Sequence, residues 1–183
     1  GEVAGALWGL MITEEITEAI SAQDGVSVLV AAAKNHVQDP RVQARVAGAL
    51  RKLSAAAENK NLVAELGGLE TLIKVSQIHL DNAIVQAGVV GVLSNLSVDD
   101  QIEKEIAGHG GIEALFHASK QHLNNAKVQA RVVRALTNLS VHEANKERIA
   151  SAVGLQTLLD ASAAHVTVAE VQAGVAGGLP NLS

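Results

Sequence analysis

Seven side chains in this sequence combine useful chemistry with regular spacing. Asn95, Asn138 and Asn181 follow one another at intervals of 43 residues, and Arg45, Lys52, Arg131 and Arg134 fall at related positions. An Asn amide offers a donor and an acceptor together, so it can pair with the N–H and C=O of a peptide. Guanidinium and ammonium groups attract carboxylates and phosphates. The set describes either a surface that holds an extended chain by its backbone and prefers acidic ones, or a solvated face on which Asn ties neighbouring units together and recurring Gly lets helices approach closely. A second series, His36, His79, His122 and His165, repeats at the same interval. Imidazoles that share a metal must converge on one ion, whereas equivalent atoms on stacked helices stand about 8–10 Å apart. This series is expected instead to cap helix C-termini, where carbonyls lack partners. His109, His117 and His142 show no such order. Catalysis finds no support. Acids such as Glu14-Glu15 and Asp99-Asp100 are scattered, there is no Cys, and no Ser, His and Asp arrangement sits on a recognisable elbow. Gly108, Gly110 and Gly111 fall in a helix-to-helix turn rather than in a phosphate loop after a strand. The expectation is a non-catalytic protein with no metal and no cofactor.

The elements that must position these residues recur. Val42 to Ser54 reads VQARVAGALRKLS, and related stretches open at Val85, Val128 and Val171, each 43 residues after the last. A truncated copy, Val3 to Leu10, opens the chain. A fixed period of this length marks a solenoid whose units bury their apolar faces against neighbours. Each unit reads as three helices. The first is long: Val42, Val46, Ala49, Leu50 and Leu53 follow helical spacing, and with Ala44 and Ala47 most of its circumference is apolar. A short helix over 59–66 follows, with Leu62, Val63 and Leu66 inward. Gly67-Gly68 ends it, and a helix over 69–78 carries Leu69, Leu72, Ile73 and Ile78. Counterparts step through the chain: Ile20, Val63, Ile106 and Ile149 on the short helix; Gly25, Gly68, Gly111 and Gly154 at the turn; Leu29, Leu72, Leu115 and Leu158 beyond it. Pro40 suits the first turn of a long helix, and Pro180 is expected to kink or fray the last one. The domain expectation is one solenoid over 1–183: a partial unit 1–41, full units 42–84, 85–127 and 128–170, and a partial unit 171–183.

Three helices per unit, a Gly-Gly turn, and a long helix ending Leu-x-Asn-Leu-Ser resemble the armadillo repeat. The residues carrying this resemblance are Leu93 to Ser97, Leu136 to Ser140 and Leu179 to Ser183, with Gly67-Gly68-Leu69 and Gly110-Gly111-Ile112. HEAT repeats have two helices per unit and lack both signatures. The resemblance implies an all-α, right-handed superhelical solenoid whose long helices line a concave groove for an extended peptide. In importin-alpha-like members a Trp one turn before the Asn packs the ligand. Here that position holds Gly5, Gly48, Gly91, Arg134 and Gly177, and the Asn position holds Gly9 and Lys52 before Asn95, Asn138 and Asn181. The resemblance therefore implies a scaffold used in the beta-catenin manner rather than nuclear-signal recognition. The alternative is a structural solenoid packed inside a larger assembly, such as a cytoskeletal one.

Bulk composition narrows the partner. The net charge is −5, and Trp8 and Phe116 are the only aromatic residues, so base-stacking platforms are lacking. Neither nucleic acid nor a membrane is the expected partner; a protein is. Absence of Cys fits a reducing, intracellular and cytoplasmic setting. The polar or side-chain-free strip Arg45/Gly48/Lys52, Gly88/Gly91/Asn95, Arg131/Arg134/Asn138 and Gly174/Gly177/Asn181 is expected to be exposed. The chain reads as a fragment of a longer protein. Its ends, with Val3, Leu7 and Leu10 at one and Val175, Leu179 and Leu182 at the other, are expected to fray or to self-associate.

Overall fold

The computed structural model describes residues 24–182. Among them every regular element is a helix. They run α1 Gly25–Asn35, α2 Pro40–Leu53, α3 Ala57–Glu65, α4 Gly68–Ile78, α5 Ala83–Leu96, α6 Ile102–Gly108, α7 Gly111–Gln121, α8 Ala126–Leu139, α9 Glu143–Ile149, α10 Ala152–Ala164 and α11 Ala169–Gly178, closed by a 3-10 helix Leu179–Leu182. The long helices α2, α5, α8 and α11 form one layer and pack on each other in chain order. The middle helices α1, α4, α7 and α10 form a second, and consecutive long helices meet more extensively than consecutive middle ones. None of these helices is long and apolar enough to cross a membrane.

Local chemistry sets the boundaries. Asp39, Asn82 and Asn125 cap α2, α5 and α8, each accepting from the backbone N–H groups of the second and third residues of its helix. Arg41 binds the Asp39 carboxylate by side chain and backbone and holds its pKa below the usual range. Pro40 opens α2, where its missing N–H leaves nothing unsatisfied. Pro180 cannot donate to the helical ladder, and α11 gives way to the 3-10 turn just before it.

The two turn glycines divide the work: the first ends the short helix as expected, and the second, of the series that steps by 43, does something else. The left-handed residue is the one before: Asp24, Gly67 and Gly110 carry positive φ. Gly68 and Gly111 instead start the middle helices, pressed onto the preceding short helix. A Cβ would stand 2.7 Å from the Val63 carbonyl oxygen in one case and 2.7 Å from that of Ile106 in the other.

The core holds the expected series. Val63, Ile106 and Ile149, and Leu29, Leu72, Leu115 and Leu158, are all buried; Ile20 lies outside the described residues. Two readings change. Ile78 is 36% exposed on the last turn of α4, and Leu62 and Leu66 sit half-buried at the core's rim while Val63 takes its centre.

Buried polar groups stitch the layers together. Gln86 in α5 is fully buried; its Nε2 donates to the carbonyls of Ser76 (2.7 Å) and His79 (3.1 Å) at the end of α4, and its Oε1 accepts from Ser76 Oγ (2.8 Å). Gln129 does the same to Ser119 and His122, and Gln172 to Ser162 and His165. These side chains close helix-end carbonyls that the α-helix itself cannot. In the first unit the serine is replaced by Ala33, and the buried Oε1 of Gln43 has no partner. Ala33→Ser should supply one. The expected result is a gain of about 1 kcal/mol in chemical denaturation, whereas Ala33→Val should destabilise.

The histidines also correct the expectation. Their backbone N–H groups close their own helices, as His79 does onto the Val75 carbonyl (3.0 Å). The rings reach back one unit: His79 Nε2 to the Val37 carbonyl (2.8 Å), His122 to Leu80 (2.7 Å), His165 to Leu123 (2.6 Å). A carbonyl only accepts, so Nε2 carries the proton. The series is an inter-unit tie.

At the C-terminal side the apolar face of α10 is uncovered. Leu159 is 52% exposed, while its counterparts Ile73 and Phe116 are buried by the next middle helix. Val175 is buried, so the open surface belongs to α10 and Leu179 rather than to all three expected residues; Val3, Leu7 and Leu10 lie outside the described residues. Amide exchange should be at least about tenfold faster across α10 and α11 than across α5 and α8, since end units lack one set of neighbours. Uniform protection would contradict this.

Candidate functional site on the long-helix face

Helices α2 and α8 bring three arginines to one hollow that lies over α5. Arg51, Arg131 and Arg134 line a cavity of about 470 Å³ together with Gly91, Asn95 and Glu170. Their approach depends on Gly91. A Cβ there would collide with Arg51 Cδ and would stand 3.3 Å from Arg131 Cδ, so the two side-chain stems lie over a bare stretch of α5. Arg131 donates through Nη1 to the Ala87 carbonyl. Arg134 donates through Nε to Ser94 Oγ (2.6 Å) and through Nη2 to Asn95 Oδ1 (2.8 Å). No carboxylate lies within 4 Å of any of the three guanidiniums among the described residues, although Glu170 lines the same hollow. Burial lowers the pKa of Arg131, the charges of Arg51 and Arg134 lower it further, and Glu170 opposes them.

This hollow is one of a row. A smaller one of about 280 Å³, with Gly88 and Lys127, shares Arg51 and Arg131 with it. On the other side a hollow of about 340 Å³ shares Asn95 and Arg134 and adds Lys60, Val98 and Asn138. A further one of about 450 Å³ shares Val98 and Asn138 and is lined by Asp100, Glu103, Lys104 and His142. The furrow thus follows α8 from Lys127 to Asn138 and on to His142. Its poles differ in sign: arginines at one, Glu103 and Asp100 at the other. Glu103 is almost fully buried, and burial raises its pKa; His142 Nε2, 4.0 Å away, opposes that.

The three asparagines are held in the same way. Asn95 Nδ2 donates to the Arg51 carbonyl (2.8 Å) and Ser54 Oγ (3.2 Å) of the preceding unit. Asn138 reaches Ser94 O (3.5 Å) and Ser97 Oγ (3.1 Å), and Asn181 reaches Thr137 O (3.4 Å) and Ser140 Oγ (3.1 Å). Each amide nitrogen is therefore engaged across the unit boundary; the carbonyl oxygen remains to meet a ligand at Asn138, whereas that of Asn95 already accepts from Arg134 Nη2. Asn95 and Asn138 line the furrow, whereas Asn181, Arg45 and Lys52 line none of these four hollows.

The expected exposed strip is interrupted. Gly88 and Gly91 are buried. At Gly88 a Cβ would come within 2.7 Å of Ala47 Cβ, so this glycine lets α2 and α5 approach; at Gly91 the arginine stems cover the helix. Sequence reasoning missed Arg51, Glu170 and Glu103. Arg51 lies one position off the strip, and the signal for it is the bulk missing at Gly91 in the next unit.

No protein-family model matches the chain, and no curated relative does. Two solved structures share its fold. The crystal structure of an engineered protein superposes with a TM-score of 0.77 at 24% identity, covering 98% of this chain and 78% of that one. A structure from work on a phosphorylation switch in the interaction between cadherin and beta-catenin superposes with a TM-score of 0.57 at 18% identity, covering 98% of this chain and 41% of that one. The chain therefore spans less than half the length of this second neighbour. Both likenesses show a shared helical-repeat fold.

Proposed function

We propose that this chain is one armadillo-type, right-handed superhelical solenoid that acts as a non-catalytic protein-interaction scaffold. It holds an extended acidic peptide along the concave, long-helix face, inside the cell. The observation that carries this reading is the convergence of Arg51, Arg131 and Arg134 on one hollow with no carboxylate paired to them among the described residues. Their charge is laid over a surface preorganised by stacking, which reduces the cost of ordering on binding. The more extensive contact between consecutive long helices is in keeping with an array concave on that side. The second neighbour comes from a complex between two proteins, in keeping with a protein partner. Asn138 presents a carbonyl oxygen to accept a peptide N–H group, and Asn95 Oδ1 keeps one lone pair beside its bond from Arg134.

The engagement of the Asn donors across unit boundaries favours one other reading, a structural solenoid within a larger assembly. Fluorescence anisotropy separates the two. Labelled 12-residue peptides rich in Asp and Glu should bind, and weaken as salt rises, while Lys- and Arg-rich peptides of equal length should not. Equal binding of both sets, or of neither, would overturn the scaffold reading.

A further inference from the structure

We propose that Arg51, Arg131 and Arg134 form a phosphoryl-binding site, so that the preferred ligand is a protein segment bearing phosphoserine or phosphothreonine. This rests on the scaffold reading and names the group recognised at its centre. The argument begins with charge. Three guanidiniums and the carboxylate of Glu170 line one hollow, which leaves two positive charges uncompensated. A phosphomonoester carries about −1.5 to −2 near neutral pH, whereas an Asp or Glu side chain carries only −1. A dianion therefore neutralises the cluster and a single carboxylate does not.

Donor geometry points the same way. A carboxylate presents two oxygens and is satisfied by one bidentate arginine. Three guanidiniums, Arg51 from α2 and Arg131 and Arg134 from α8 across the bare stretch of α5, match the three free oxygens of a tetrahedral phosphoryl group. Arg51 makes no side-chain hydrogen bond to another described residue, Arg131 makes one to Ala87, and Arg134 makes two, so most N–H donors of these hollow-lining side chains are unused by described residues. Those contacts are to neutral groups, which fix the forks without cancelling their charge. Gly91 completes the arrangement: with no side chain it admits the Arg51 and Arg131 stems side by side. Like charges gathered this closely repel, and Arg131 is also half-buried. A bound dianion relieves both costs. The cavity is far larger than one phosphate, which leaves room for the backbone that carries it.

The test uses the whole chain with its arginine side chains observed by Nε NMR. Inorganic phosphate should shift Arg51, Arg131 and Arg134 saturably, and chloride at matched ionic strength should not. A peptide of Gly, Ala and one phosphoserine should bind on the order of tenfold more tightly than its Asp counterpart, and the Ser counterpart should not bind measurably. Arg51→Gln leaves no internal bond broken, and Gly91→Ala displaces the Arg51 stem at constant charge. Each should weaken phosphopeptide binding on the order of tenfold while helicity is unchanged. Phosphate acting no differently from chloride, or an Asp peptide binding as tightly as the phosphoserine one, would overturn the site. The second outcome leaves the acidic-groove reading standing. Failure of that reading would look different, with phosphate bound saturably but acidic peptides not retained on the long-helix face.

Discussion

Gln129→Ala should destabilise the protein by about 3–5 kcal/mol in urea denaturation, although glutamine is ordinarily a surface residue. The side chain is fully buried between α7 and α8. Nε2 closes the carbonyls of Ser119 (2.8 Å) and His122 (2.9 Å), and Oε1 receives the Ser119 hydroxyl (2.7 Å). The His122 carbonyl keeps a second donor, the Asn125 backbone N–H. The Ser119 carbonyl and hydroxyl would be left buried without partners. Each such group costs about 1–3 kcal/mol, and the vacated volume adds a cavity term. Gln172→Ala should cost less, because that residue is only half-buried at the C-terminal side. Gln129→Ala together with Ser119→Ala should recover part of the loss, since the orphaned hydroxyl goes with it. A loss under about 1 kcal/mol would show that water replaces the amide and that the clamp contributes little.

Arg131→Glu combined with Arg134→Glu should weaken binding of an Asp- and Glu-rich peptide by at least about 100-fold and reverse its salt dependence. Two positive charges leave the central hollow and two negative ones enter it, beside Glu170. Higher salt should then strengthen what binding remains. Stability will also change, because Arg131 is half-buried and bonded to the Ala87 carbonyl, and Arg134 ties Ser94 and Asn95. About 1–3 kcal/mol is expected from these losses. The paired Gln variants control for this: they keep polar donors, remove only the charge, and should lose binding with smaller loss of stability. Peptide affinity unchanged in the folded double-Glu variant would place the ligand elsewhere.

Much of the fold was legible because it depends on which residues avoid water. Leu29, Leu72, Leu115 and Leu158 recur at one interval and are buried at one structural position, since each unit presents the same face to its neighbour. The caps were less visible: Asp39, Asn82 and Asn125 occupy the turn that periodicity marks only as polar. The glutamines were hidden for a different reason. Gln86 stands beside Val85 in a helix, and nothing nearby in sequence reveals that Ser76, on another helix, receives its amide. The histidine rings find carbonyls 42 residues upstream, beyond the reach of capping rules written for a single helix. At the site, type and spacing identified Arg131, Arg134, Asn95 and Asn138 as furrow-lining residues. They left open whether the asparagines meet a ligand or tie neighbouring units, and did not reveal that a glycine in one helix makes room for an arginine of the previous one. Those facts arise from the stacking of units, which sequence periodicity announces without its register in space.

The scaffold account is tested most directly by mapping where an acidic peptide sits. The measurement is NMR of the whole chain titrated with a saturating Asp- and Glu-rich peptide, following the arginine Nε and asparagine side-chain amide signals. The account predicts saturable shifts at Arg51, Arg131, Arg134, Asn95 and Asn138, with Phe116 and His117 in the middle layer unmoved. Shifts centred on the middle helices, or no saturable shift in the long ones, would contradict it.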